Sequence, residues 1–119
     1  MTVDEFIDSN NIEYVDRLYI DTEGLDCYIV DTIDLSKNRI GVIHFEHMHS
    51  GNTFDNGDSD IYRKIVQKLF NNGFKIQRNQ GDRLLASNLA LFSKALQRTD
   101  GIKNCIEFGA NIGMNLKAL

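Results

Sequence analysis

Proline and tryptophan are absent from this 119-residue chain, cysteine occurs twice and histidine three times. Without proline, low-complexity stretches or an internal repeat, nothing marks a linker or a solenoid, and the length suits one ordinary domain, residues 1–119, with a small core. Cys27 and Cys105 each lie in an apolar stretch, far apart, with no close histidine in sequence and no redox spacing. They read as buried, reduced packing residues of a cytosolic protein. No run approaches the roughly twenty apolar residues of a membrane span. The acidic opening MTVDEFIDSN also has no signal core, so a cytoplasmic chain without a membrane partner is expected. Thirteen Lys and Arg, scattered among seventeen Asp and Glu for a net charge of -4, argue against a nonspecific grip on nucleic acid.

What is present alternates between strand and helix patterns. Thr2, with Glu5 three residues on, has the form of a capping box; it starts a short amphipathic helix through Phe6 and Ile7 that should stop near Asn10 and Asn11. The run YVDRLYI at 14–20 is rich in β-formers and leads into Asp21-Thr22-Glu23-Gly24, where the glycine permits a sharp exit. A short helix follows through Tyr28 and Ile29. RIGVIHFEH at 39–47 is then a nearly continuous apolar strand of the kind that belongs to parallel sheets. After a polar loop from His49 to Gly57, Asp58, Ser59 or Asp60 caps a helix whose Ile61, Ile65 and Leu69 recur every four residues until Asn72-Gly73 ends it. FKIQ at 74–77 predicts a third strand and RNQGD a turn. Leu85, Leu89, Phe92 and Leu96, at spacings of four, three and four, predict a helix over 83–98 that Thr99-Asp100-Gly101 stops. A fourth strand at 103–108 runs into the glycine-rich stretch IEFGANIG, and Met114 to Leu119 begins a last helix. Four strands with helices between them predict a small, mostly parallel α/β sheet with helices on both faces.

Three groups of residues could carry chemistry. Glu107, Gly109, Asn111 and Gly113 follow a strand and open a helix, where a tight turn brings backbone amides close to a ligand; the same glycines also suit a strand-to-helix turn that holds nothing. Asp21 and Glu23 close the first strand, and ligands of open α/β sheets collect beyond the carboxyl ends of strands. An acidic pair there orients a hydroxyl, acts as a general base or holds a divalent cation, whereas a solvated turn in which Asp21 caps the next helix uses the same residues. His44, His47 and His49 cluster around Glu46. Extended backbone puts His44 and Glu46 on one face and His47 elsewhere, so a three-ligand metal site needs a bend after Glu46. Glu46 and His47 as polar site residues at the strand's end suit the spacing better, His44 also reads as a hydrogen-bonded core histidine, and no metal is assigned.

Two stretches resemble known families. From about Thr2 to Gln77, the segments VDEFI, YVDRLYIDTEGLD, IGVIHFEH and GFKIQ resemble the C-terminal half of FkbM-type S-adenosylmethionine-dependent methyltransferases. From about Arg78 to Leu119, RNQGDRLLASNLALFSKAL and IEFGANIGMNLKAL resemble the N-terminal portion of the methylases associated with pseudaminic acid biosynthesis. Both imply a Rossmann-like methyltransferase fold, here incomplete or permuted, with a seam near residues 76–82. The resemblance implies that the strand at 103–108 docks beside 14–20 and that Glu107, Gly109, Asn111 and Gly113 contact the amino acid part of S-adenosylmethionine. It places Asp21 and Glu23 on the acceptor side and Glu46 and His47 at the neighbouring strand's end, with Asp21 or His47 as the base. It also implies a hydroxyl on a sugar or similar small metabolite as acceptor. The strand bearing the acidic partner of the cofactor ribose is expected after residue 119. Two other readings compete: a noncatalytic module that oligomerises through unpaired strand edges, and a junction of two neighbouring methyltransferase coding regions.

Overall fold

The first helix, α1 (Val3–Ser9), starts on the expected capping box: the Thr2 hydroxyl accepts from the Glu5 amide at 3.1 Å, and the Glu5 carboxylate accepts from the Thr2 amide at 2.9 Å. Donation from Thr2, its backbone amide first, favours the ionised Glu5 carboxyl and holds it below its ordinary range. In this computed structural model, which describes residues 1–22, 25–46, 60–80, 83–96, 104–109 and 113–118, α1 buries Val3 and Ile7 against the rest of the chain. The Arg39 guanidinium bonds to Asp4 at 2.9 Å and to Asp8, which fastens the polar side of α1 to the residue just before the second strand.

The elements that follow are β1 (Val15–Asp21), α2 (Asp26–Thr32), β2 (Ile40–Glu46), α3 (Asp60–Asn71), β3 (Lys75–Gln80), β4 (Arg83–Ser87), α4 (Leu89–Leu96), β5 (Asn104–Gly109) and β6 (Gly113–Ala118). Among the described residues, six strands form one sheet in the order β3-β4-β2-β1-β5-β6. The segments on either side of the seam therefore share a sheet. The α/β class holds, but the sheet is mixed where a mostly parallel one was expected. Pairing is parallel at β1–β2 and β1–β5 and antiparallel at β2–β4, β3–β4 and β5–β6.

Residues 83–87 of one expected helix and 114–118 of another are in strands, and both changes have the same cause. At 83–87 the periodicity counted Leu85, whereas Leu84 and Ala86 are the buried residues, at 4% and 0% exposure, and pair with Phe45 and Ile43 of β2. A period of two replaces a period of four because β2 offers a ladder partner, and α4 starts only after Asn88. The tail behaves likewise. Met114, Leu116 and Ala118 alternate with Asn115 and Lys117, and this segment pairs antiparallel with β5 from Gly113 opposite Gly109 to Ala118 opposite Asn104. β5 is thus followed by a strand paired back on it, where a helix was expected.

The core lies between the sheet and helices α1, α2 and α3. Leu18 and Ile20 of β1, Ile43 and Phe45 of β2 and Ile106 of β5 pack with Ile7, Cys27, Val30, Ile65 and Leu69. Ile65 and Leu69 are the predicted stripe of α3, and Asn72-Gly73 ends that helix as expected. Cys27 and Cys105 are both buried, and neither is in a disulfide. β5 is fixed to β1 at its start as well: the Asn104 amide donates to the buried Asp16 carboxylate at 2.8 Å, and the Asn104 side chain donates to the Tyr14 carbonyl at 3.0 Å. No helix among the described residues is long and apolar enough to cross a membrane.

Candidate functional site

Strand pairing aligns the side chains in rows across the sheet. Tyr19 pairs with His44 on one side and Glu107 on the other; two residues further on, Asp21 pairs with Gly109, while Glu46 pairs with Arg83. Since residues i and i+2 share a face of a strand, Tyr19, Asp21, His44, Glu46, Arg83 and Glu107 come to one side, where they line a cleft of about 570 Å³. Their alternates Leu18, Ile20, Ile43, Phe45, Leu84 and Ile106 are at most 4% exposed on the helix-covered face. Each cleft residue therefore stands on a strand anchored from behind. The cleft opens toward the carboxyl ends of β1, β2 and β5, where α/β sheets gather ligands.

Two polar contacts shape it. Glu46 Oε1 lies 3.3 Å from Arg83 Nη2, with the Glu46 side chain 15% exposed and that of Arg83 58% exposed. His44 stacks on Tyr19 with ring centroids 4.3 Å apart and planes 12° from parallel. Its Nε2 is 3.2 Å from Arg17 Nη1. A guanidinium only donates, so Nε2 is the acceptor and the ring proton sits on Nδ1. Burial, reinforced by the Arg17 charge, pushes the His44 pKa below its ordinary 6.5, so the ring is neutral at neutral pH. Three carboxylates and one arginine then leave the cleft net negative.

The strand ends that bear Asp21 and Glu46 are tied by a carboxylate that the sequence reading did not single out. Asp26, only 1% exposed, accepts from the Thr22 amide at 3.0 Å, from the Thr22 hydroxyl and from the Glu46 amide at 2.9 Å. Burial raises its pKa, and the bonds from Thr22 and Glu46 oppose that rise. Asp21 does not cap α2, as one reading of the turn had it. The residue before the helix is Leu25, without a side-chain cap, and Thr22 instead receives the Leu25 amide on its hydroxyl at 3.1 Å.

Of the residues the sequence singled out, Asp21, Glu46 and Glu107 line the one cleft, Gly109 pairs with Asp21, and Gly113 pairs with Gly109. Glu23, His47 and Asn111 lie outside the described residues. Tyr19, His44 and Arg83 join them on the same face, and Ile20, Phe45 and Leu84 also border the cleft. His44 was legible as the face-mate of Glu46 two residues away, and Arg83 emerges only once β4 is known to be a strand. No group of three or more His, Cys, Asp and Glu able to hold a metal ion occurs among the described residues.

A parallel α/β centre with a cleft at the strands' carboxyl ends is where open α/β sheets bind small ligands. Residues 1–76 match the family described as the methyltransferase FkbM domain, and the chain belongs to that family. The match stops at residue 76, so the second likeness, over 78–119, lies beyond it. No curated protein and no solved structure matches the chain.

Proposed function

We propose that the cleft is the site of S-adenosylmethionine-dependent methyl transfer in the cytoplasm, with a hydroxyl of a sugar or similar small metabolite as acceptor. The observation that carries this reading is the parallel docking of β5 on β1, which brings Glu107 into the same cleft as Asp21 and Glu46. The likeness of 78–119 to the N-terminal portion of pseudaminic acid methylases supports giving Glu107, Gly109, Asn111 and Gly113 to the cofactor. The cofactor fits the cleft in size and charge: about 570 Å³ lies within the range of small-molecule sites. Three carboxylates also suit a ligand with a sulfonium and an ammonium group. β6, paired antiparallel with β5, stands where a helix was expected to offer its N-terminus.

S-adenosylmethionine supplies a methyl group already activated on sulfur, which leaves the protein to align an acceptor oxygen and take its proton. Glu107 would hold the cationic end of the cofactor. Asp21, exposed at the end of β1, would take the hydroxyl proton of an acceptor whose oxygen gains the methyl group as its bond to sulfur breaks and leaves the thioether. Glu23 and His47 share that side by resemblance. Neutral His44, with its proton on Nδ1, donates a hydrogen bond and does not compete for the acceptor proton.

Titration with S-adenosylmethionine by calorimetry tests this. Saturable binding by the wild type, lost in Glu107→Ala and kept in Lys75→Ala on the outer strand β3, is the expected result; a folded protein that binds nothing refutes it. One observation favours a second reading, a noncatalytic homo-oligomeric module: the tail closes as a β-hairpin at the sheet's edge. A single oligomeric species in gel filtration together with no binding would select that reading.

A further inference from the structure

Among the described residues, Asp26 is the one deeply buried carboxylate whose bonds reach the cleft-bearing ends of two strands. Asp16 and Asp26 are the buried acids among the described residues, and Asp16 serves the opposite end of the sheet, where it anchors the start of β5. Asp26 sits at the first position of α2, yet its oxygens do not cap that helix. They reach back to Thr22, just past the end of β1, and across to the amide of Glu46, the last residue of β2. Three donors on one carboxylate satisfy it without a cation beside it.

From this we infer that Asp26 is a positioning residue of the cleft: its carboxylate fixes the exits of β1 and β2 against each other, so that Asp21 and Glu46 present their side chains to one ligand. The inference rests on the methyl-transfer reading for the identity of that ligand. The chemistry of the latch is specific. An asparagine in place of Asp26 keeps one oxygen for Thr22 but turns an NH₂ toward the Glu46 amide, donor against donor, and frees the end of β2. The hydroxyl of Thr22 is the second fixed point; a serine keeps it and a valine removes it.

The experiment measures amide hydrogen exchange by NMR and S-adenosylmethionine affinity by calorimetry on the full chain, in wild type, Asp26→Asn, Thr22→Val and Thr22→Ser. Asp26→Asn should speed exchange at the Glu46 amide and weaken binding by about tenfold each, the scale of one charge-assisted hydrogen bond. Exchange at Leu18 and Ile43 in the mid-sheet should be unchanged. Thr22→Val should show the same two effects severalfold, with Thr22→Ser matching wild type, and this pair decides the matter if Asp26→Asn does not fold. Faster exchange throughout the core with unaltered affinity would reduce Asp26 to an ordinary stabilising residue and overturn the inference, as would wild-type values in every variant. If the wild type binds no cofactor, the methyl-transfer reading fails separately, and the Glu46 amide still reports whether the latch exists.

Discussion

Asp21, inside the segment that matches the FkbM family, pairs directly with Gly109, far beyond its end. The ladder that contains them continues back through Ile20–Phe108 and Leu18–Ile106. The tail is thus built into the sheet next to its central strands.

Ile106 tests that integration. It is fully buried in the core with Leu18 and Ile20. Ile106→Ala should cost about 2–5 kcal/mol, the range for emptying a buried aliphatic site, measured by urea unfolding. A fragment ending at residue 77 should not fold, since it lacks the strands on either side of β1 and β2. A loss under about 1 kcal/mol for Ile106→Ala would mean that β5 is a dispensable appendage.

His44 predicts a pH dependence of defined sign. Its pKa is lowered in the folded protein, so between that value and 6.5 the unfolded chain binds more protons than the folded one. Its contribution to stability is present above pH 6.5 and is lost as pH falls through the depressed value. The difference in melting temperature between wild type and His44→Gln should shrink from pH 7.5 to pH 5, and the His44 ring signals should titrate below those of an exposed histidine. A titration midpoint at or above the ordinary value would remove the Arg17 contact from the account.

The strands β1, β2 and β5 and helices α1 and α3 were legible because each pattern is local: a capping box, apolar runs of strand length, a four-residue stripe ended by Asn-Gly. The strands at 83–87 and 113–118 were not, because short apolar segments satisfy either period and the deciding term is the ladder partner, β2 in one case and β5 in the other. The cleft follows the same division. Asp21, Glu46 and Glu107 were readable from their places at strand ends, whereas Arg83 depended on the misread strand. Asp26 was not singled out, since nothing local announces that its partner is the amide of Glu46.

Gly73 ends α3 with φ of +87°, and a Cβ there would stand 3.3 Å from the Asn88 side-chain nitrogen. That nitrogen donates to the Asn72 carbonyl at 3.1 Å, while the Asn88 oxygen receives the Leu91 amide at the start of α4, also at 3.1 Å. Gly73→Ala should therefore cost about 1–2 kcal/mol from backbone strain alone, read by chemical denaturation. Because the crowded neighbour is Asn88, the combined Gly73→Ala/Asn88→Ala variant should lose less than the sum of the two single changes. Strict additivity would separate the end of α3 from the start of α4.

Among the described residues that line the cleft, where His44 is neutral, Arg83 is the only cation, and its side chain is more than half exposed. Removing it tests the cleft's electrostatics apart from its architecture. Arg83→Ala should change stability by no more than about 1 kcal/mol, as partly exposed ion pairs do. It removes the Arg83 end of the ion pair with Glu46, and the cleft gains one unit of negative charge. A cationic ligand then binds better and a neutral one of the same shape does not, by an amount that falls with added salt. S-adenosylmethionine and S-adenosylhomocysteine differ in this way, as a sulfonium and a thioether. The ratio of their affinities should shift severalfold toward the sulfonium in Arg83→Ala at low ionic strength and return toward the wild-type ratio in high salt. An unchanged ratio at low salt would place the bound sulfur away from Glu46 and from the row of side chains that Arg83 completes.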